Sequence, residues 1–296
     1  MKGVPCIQRK QCIWVMMMSE RLYIGIDLGT FQSGIAGSNG TNVSVQTVVG
    51  KPKDPIARNF LKKDTLFGQE ALTNKLACNL YYPLSEGVTQ DDENNLAAAK
   101  SFVTYLVETA DPEEFDEVFG VICSPSHISF VDKSNLVSIL RGQVNAIMVV
   151  SEPFAVAFGL DEVGGSIVVD IGAGTTDIAR IYGTFPSDDD QITIGEAGDW
   201  IDVRLMELVS KKFTGAQLTK DMVRQWKEAG SYVGGDEREQ MVELSVEGKK
   251  QVVDIGDLVQ IACEELVPHV VRAVKGIVAG ADPEYQSILR NNIILS

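Results

Sequence analysis

The sequence predicts an α/β chain folded as two related halves that face each other across a cleft. Three observations carry this expectation. From residue 22 onward, short apolar runs ending in glycine-rich turns alternate with helical stretches. One strand-and-turn unit occurs twice, as Ile24-Gly25-Ile26-Asp27-Leu28-Gly29-Thr30 and as Val168-Val169-Asp170-Ile171-Gly172-Ala173-Gly174-Thr175-Thr176. The length, 296 residues, suffices for two domains of ordinary size.

Taken in order, the strands expected are Leu22 to Ile26, Val118 to Ile122, Ala146 to Val150, Ser166 to Val169 and Ile293 to Leu295, each a short apolar run bounded by turn residues. Apolar residues at helical spacing (Leu96, Ala99, Val103, Leu106) predict a helix over Asn94 to Glu108, and a similar set predicts one over Ile201 to Phe213. A long helix is expected from about Asp257 to Val278, bent or divided by Pro268. Ahead of all these, Lys2, Arg9 and Lys10 precede the apolar run Cys12 to Met18. Without a small-residue cleavage site this reads as a disordered leader or an over-extended start, with a membrane-touching segment as the alternative.

Composition narrows the function classes. Hydrophobic residues are 45% and charged residues 23%, enough apolar material for a sizeable core. Net charge is −15, so phosphate backbones and anionic surfaces are repelled, and nucleic acid is not an expected partner. The five cysteines are scattered without a CxxC pair, and the only histidines are His127 and His269, which argues against zinc, disulfide or His-centred chemistry. No run approaches the ~20 apolar residues of a membrane-spanning helix.

The repeated turn carries the chemistry. Glycine after a strand lets backbone N–H groups approach a phosphate, because no Cβ stands in the way. A carboxylate beside phosphate is unfavourable alone, so Asp27 and Asp170 aimed at one cleft imply a divalent cation, held mostly through water, with Mg²⁺ fitting that role. The hydroxyls of Thr30, Ser33, Thr175 and Thr176 are candidate donors to phosphate oxygens. Either unit alone also fits a hairpin turn with incidental Gly and Asp; the two together favour phosphate. Glu152 follows a strand and precedes Pro153, which places it at a helix start facing the cleft floor. A helix-dipole partner is the plainer reading of that carboxylate.

This two-turn signature resembles the superfamily of actin, sugar kinases and heat-shock chaperone ATPases. The segments Tyr82-Pro83-Leu84-Ser85-Glu86-Gly87-Val88, Val150-Ser151-Glu152-Pro153-Phe154, Gly195-Glu196-Ala197-Gly198-Asp199-Trp200-Ile201-Asp202 and Pro283-Glu284-Tyr285-Gln286 are similar to bacterial actin-like filament proteins of the MreB/MamK type. The likeness to the magnetosome branch extends over nearly everything from Leu22 to Ser296. It implies an actin-like ATPase fold, two duplicated ribonuclease H-like domains flanking a nucleotide cleft. The division implied is a leader at 1–19, a first domain at about 20–160 with a small subdomain near 48–80, and a second at about 161–296 with a small subdomain near 200–255.

The same resemblance implies ATP and Mg²⁺ as ligands. Asp27, Gly29, Thr30, Phe31 and Gln32 would serve the first turn, and Gly172, Ala173, Gly174, Thr175 and Thr176 the second. Glu152 and Asp170 would be catalytic, Asp27 and Asp170 would bind Mg²⁺, and Lys227 and Glu228 would contact the nucleoside. From residue pattern alone, Lys227 and Glu228 read as a solvated helix face. The implied function is an ATP-hydrolysing cytoplasmic filament of head-to-tail subunits, lining up magnetosomes through an adaptor protein. Cell-shape and plasmid-segregation actins are the nearest alternatives, and a kinase or chaperone-like ATPase a more distant one. The family's glycine-rich adenine turn would follow Ser296, so the C-terminal end reads as truncated, most simply by an incomplete record; a naturally short chain would instead lose adenine affinity and leave apolar faces exposed on the first-domain sheet.

Overall fold

The computed structural model describes residues 20–85, 88–89, 93–236 and 238–296. The leader at 1–19, with its Cys12 to Met18 run, and positions 86–87 of the Tyr82 segment lie outside the described residues.

In strand β1 (Arg21–Leu28) alternate residues Leu22, Ile24, Ile26 and Leu28 are buried. It pairs antiparallel with β2 (Gln32–Gly37), and β2 with β3 (Asn42–Gln46). A small lobe follows, made of β4 (Val49–Pro52), α1 (Pro55–Leu61), β5 (Leu66–Phe67), α2 (Gly68–Thr73) and β6 (Cys78–Tyr81), in strand order β5-β4-β6. Asp54 starts α1 by accepting the Ala57 N–H, with Pro55 in the first turn where no N–H is needed.

A short hairpin, β7 (Leu84–Ser85) with β8 (Val88–Thr89), leads to α3 (Glu93–Glu108), β9 (Glu117–Ser124), α4 (Phe130–Leu140) and β10 (Ala146–Ser151). Strands β9 and β10 add in parallel, completing the order β10-β9-β1-β2-β3. Parallel pairing demands a crossover, which α3 and α4 supply. These helices cover one sheet face, packing Phe102, Leu106 and Leu140 over Leu22, Ile26 and Ile122. Each such fully buried side chain contributes about 1.5–3 kcal/mol. On the opposite face Tyr23, Val121 and Met148 are exposed.

The second half repeats the opening meander. After α5 (Glu152–Gly159), β11 (Ser166–Ile171), β12 (Thr176–Ile181) and β13 (Gln191–Ile194) pair antiparallel in sequence. Next come α6 (Gly198–Lys212), α7 (Lys220–Gly230), the hairpin β14 (Met241–Val246) and β15 (Lys249–Asp254), then α8 (Gly256–Glu264), α9 (Val267–Ala279), α10 (Pro283–Asn291) and β16 (Ile293–Leu295). Strand β16 joins β11 in parallel, giving β13-β12-β11-β16.

Helix α9 covers one face, with Ala273 and Ile277 over Ile167, Val169 and Ile178. Helix α5 covers the other, with Ala157 against Val168, Ala179 and Ile181. Helix α5 thus packs on the second sheet directly after β10 ends at Ser151. Helices α6, α7 and α8 form their own core with the β14–β15 hairpin around Leu205, Val209, Val223 and Leu244. The long helix expected up to Val278 is divided: α8 ends at Glu264, and Pro268 sits in the first turn of α9. Proline has no N–H for the preceding turn, and its ring crowds the carbonyl four residues back.

The two sheets are fastened together just after β9. The Ser126 N–H donates to Asp177 Oδ1 at 2.6 Å, the His127 N–H donates to the Thr193 hydroxyl at 3.0 Å, and His127 Nε2 lies 2.7 Å from the Gln191 carbonyl.

Candidate functional site

Strand β1 brings Asp27 to its C-terminal end, in register with Cys123 of β9. The turn beyond is tight. A Cβ on Gly29 would stand 2.3 Å from the Gln32 carbonyl oxygen, so glycine is required for the chain to fold back. The Gly29 carbonyl accepts the Thr47 hydroxyl at 2.7 Å. Thr30, Phe31 and Gln32 line the cleft above it. Ser33 does not: strand alternation turns it inward, where it is 1% exposed and shares its hydroxyl with Thr47 at 2.8 Å. Its expected role toward phosphate is corrected to holding the turn.

Strand β11 brings Asp170 to the opposite wall, in register with Asp177 of β12. Beyond Asp170, the Gly172 N–H donates to the Thr175 carbonyl at 2.9 Å and closes the second turn. Helix α6 is seated on this turn. The Gly198 and Asp199 N–H groups donate to the carbonyls of Gly172 and Ala173 at 3.0 and 2.7 Å. A Cβ on Gly198 would come within 3.1 Å of the Gly172 oxygen. Gly172 and Ala173 line the cleft, whereas Gly174 and Thr175 are not among its lining residues. Thr176 is fully buried and donates its hydroxyl to the Glu196 carbonyl at 2.8 Å, so it too braces the turn and does not face a ligand.

Glu152 begins α5 directly after β10, with Ser151 as an extended N-cap and Pro153 in the first turn. It lines the same cleft, of about 720 Å³, as Asp27 and Asp170. Three carboxylates in one recess repel each other and lose water together. Desolvation, then Asp177, Asp27 and Asp170, push Glu152 up to about 9. Desolvation and the Asp177 and Asp27 charges raise Asp170, and a hydrogen bond from Ser296 partly offsets this. Asp27 opens onto the cleft, yet its walls desolvate the carboxyl enough to raise it. Burial beside these acids pushes the Cys123 thiol up to about 12, which keeps it a thiol.

This electrostatic imbalance fits a cation. The donors are hard carboxylate oxygens, which suit Mg²⁺ and not a soft metal. Among the described residues no three ligating side chains cluster closely enough to cage an ion by themselves.

Helix α7 forms the remaining wall with Arg224, Lys227 and Glu228. Thr219 caps its start by accepting the Met222 N–H at 3.2 Å. The Lys227 ammonium is already engaged, 2.7 Å from the nearly buried Asp202 and donating to the Gly198 carbonyl at 2.7 Å. It faces the cleft as part of a held ion pair, whereas Glu228 is exposed.

Arg224 was not foreseen from the sequence. It binds Asp199 at 2.8 Å and Asp202 at 3.2 Å, and its guanidinium lies 4.3 Å from the centre of the Phe31 ring. One side chain thus spans from the second half to the tip of the first turn. The signal available was spacing: Arg224 and Lys227 share one helix face, as do Asp199 and Asp202.

A family model described as MreB/Mbl protein matches residues 21–295. The actin-like protein MamK of Magnetospirillum gryphiswaldense is 35% identical over 278 residues, covering 94% of this chain and 77% of that protein. A MamK double helical filament superposes with a TM-score of 0.90 at 34% identity, covering 93% of this chain and 85% of the other. A non-polymerising MamK mutant bound to AMPPNP superposes with a TM-score of 0.72 at 33% identity, covering 94% and 86%.

Proposed function

The chain belongs to the MreB/Mbl family, with an actin-like fold, and from that premise we propose that it binds and hydrolyses Mg²⁺-ATP and polymerises head to tail. The observation that carries this reading is the convergence of Asp27, Asp170 and Glu152 on one cleft between two glycine turns. The relative solved with AMPPNP supports a nucleotide in that cleft, and the relative solved as a double helical filament supports self-association.

In this reading residues 20–160 and 161–296 are the two domains, and the turns at 27–32 and 170–175 offer backbone N–H groups to the phosphates. Asp27 and Asp170 would hold Mg²⁺, which when bound would supply positive charge to offset that of the phosphates. Lys227 and Glu228 bound the nucleoside side, with Lys227 held in place by Asp202. Glu152 orients a water and takes its proton as the phosphorus–water bond forms and the bond to the ADP oxygen breaks. Positive charge entering the cleft counters the neighbouring carboxylates that keep the Glu152 proton on.

ATP bridging both walls favours one closed shape, and a head-to-tail contact that does not close on itself extends into a filament. The likeness to the actin-like protein MamK supports this filament role, and the further part of the reading is that the filament aligns magnetosomes in the cytoplasm through an adaptor. Among the described residues no helix is long and apolar enough to cross a membrane.

The test is pelleting with electron microscopy in ATP, in ADP and without nucleotide. Filaments that require ATP support the reading, and a protein that stays monomeric in all three conditions overturns it.

A further inference from the structure

The small lobe at residues 48–80 carries six lysines and arginines against three acids, in a chain whose net charge is −15. Those acids are engaged inside the lobe: Asp54 caps α1, Asp64 pairs with Arg58, and Glu70 pairs with Lys63 at 2.7 Å. Among the described residues, Lys51, Lys53, Lys62 and Lys75 have no carboxylate partner. Large apolar side chains stand among these lysines. Helix α1 buries none of its residues, and Ile56 and Phe60, one turn apart on the same face, are 81% and 75% exposed. Leu76 is 88% exposed, and Lys53 Nζ donates to its carbonyl at 2.9 Å. Apolar side chains gathered in water on one lobe, with charge beside them, carry the pattern of a docking surface.

Residues 108–117 have the opposite character, with six acids and no lysine or arginine. Among the described residues only Glu117 of these pairs with a cation, Arg21 at 2.8 Å. Strand register sets the two regions at opposite ends of the first sheet. Strands β1 and β3 both run antiparallel to β2, and β3 ends with Gln46 opposite Gln32, so the chain enters the lobe at the cleft end. At the other end the Glu20 N–H donates to Asp116 at 3.1 Å, and the Asn39 side chain donates to the Ala110 carbonyl at 3.0 Å. The eight residues of β1, at ~3.3 Å each, put about 25 Å between these ends, beyond the ~8–10 Å over which exposed charges act. The two regions cannot neutralise each other within one molecule.

We infer that the small lobe docks on the acidic end of a second copy, lysines against acids, with Ile56, Phe60 and Leu76 covered at the contact. This rests on the head-to-tail reading above and names the surfaces that meet. They are different patches at opposite ends, so the contact is heterologous and repeats without closing. An anionic lipid surface would also attract the lysines, but the charge of the whole molecule repels it.

The test is charge reversal in the full chain: K53E/K75E on the lobe, E113K/E114K on the acidic end, and the quadruple variant that exchanges both. The variant I56S/F60S probes the apolar part. None of these residues lines the nucleotide cleft, so Mg²⁺-AMPPNP affinity within about twofold of wild type reports a correct fold. Each double reversal is expected to raise the critical concentration for pelleting in ATP about tenfold or more, and I56S/F60S to do the same. The quadruple variant, and an equal mixture of the two double reversals, should return to within about threefold of wild type, because both restore opposite charges at every contact.

Double reversals that pellet like wild type, or a quadruple variant no better than either, overturn the inference. So does a K53E/K75E protein that assembles normally yet no longer sediments with phosphatidylserine vesicles, which assigns the lobe to a membrane. If wild type forms no filament in ATP, the assembly reading fails by itself. Sedimentation velocity at low salt then decides: wild-type dimers that both double reversals abolish and their mixture restores support the contact, and absence of such dimers overturns it.

Discussion

At the scale of single residues, the account assigns separate work to two acids that share a cleft. In the proposed hydrolysis Glu152 would move a proton and Asp170 would hold a cation. Glu152→Ala is expected to slow phosphate release by ~10²-fold while leaving filaments intact or longer, measured by coupled phosphate assay and microscopy. Asp170→Ala is expected to weaken Mg²⁺-AMPPNP binding by about tenfold or more, as a lost charge partner costs at least ~1.4 kcal/mol, and titration calorimetry with wild-type affinity would remove that role. These residues were legible in the sequence because each stands beside its own local signal. Asp27 and Asp170 end apolar strands before glycine turns, and Glu152 precedes a proline at a strand-to-helix junction. Asp177 belongs to the same motif, yet its partners Ser126 and Thr193 come from 51 and 16 residues away, so its burial and its place in the joint between the sheets appear only in three dimensions. Strand parity accounts for Ser33, an inward position of β2, whereas Thr176 is buried because helices cover both faces of the sheet that holds β12.

At the scale of elements, the cleft is gripped by α7. Arg224 lies over the Phe31 ring and is anchored at Asp199 and Asp202, which joins the first turn to the start of α6. A flat guanidinium can stack on the ring and donate sideways at once, and an ammonium cannot. Arg224→Lys is therefore expected to speed dissociation of a fluorescent ATP analogue by about three- to tenfold, consistent with losing ~1 kcal/mol of cation–π contact. An unchanged off-rate would show that the grip lies elsewhere. Element boundaries were largely readable: the helix expected from Asn94 runs Glu93–Glu108, and the strand expected at Ile293 to Leu295 is found there. Periodicity marks a face but not a break, so the division of α8 from α9 rested on Pro268 alone. The seating of α6 on the second turn, by Gly198 and Asp199, left no mark beyond a small residue at a helix start.

For the molecule as a whole, the concentration of acids in the cleft makes stability depend on pH in a definite direction. Glu152 has an ordinary value of 4.5 and is pushed up to about 9 in the fold. Its proton is held more tightly folded than unfolded, so its stabilising contribution is complete below about 4.5 and is lost as pH rises through about 9. The raised Asp27 and Asp170 act in the same sense. Nucleotide-free protein is expected to melt at lower temperature at pH 9 than at pH 6. Glu152→Gln should flatten that slope and melt about 2 °C or more above wild type at pH 9. Thermal melts that leave the two proteins parallel across this range would contradict the electrostatic account. In the proposed reading, binding of a cation with ATP would relieve the same repulsion, so that ligand uptake, closure of the two halves and filament growth would draw on one source of free energy. The most direct measurement is a crystal structure of this chain with Mg²⁺-AMPPNP. The account expects the triphosphate between the turns at Gly29 and Gly172, with the metal's water shell touching Asp27 and Asp170. Nucleotide bound elsewhere, or a metal shell that meets neither aspartate, would contradict it.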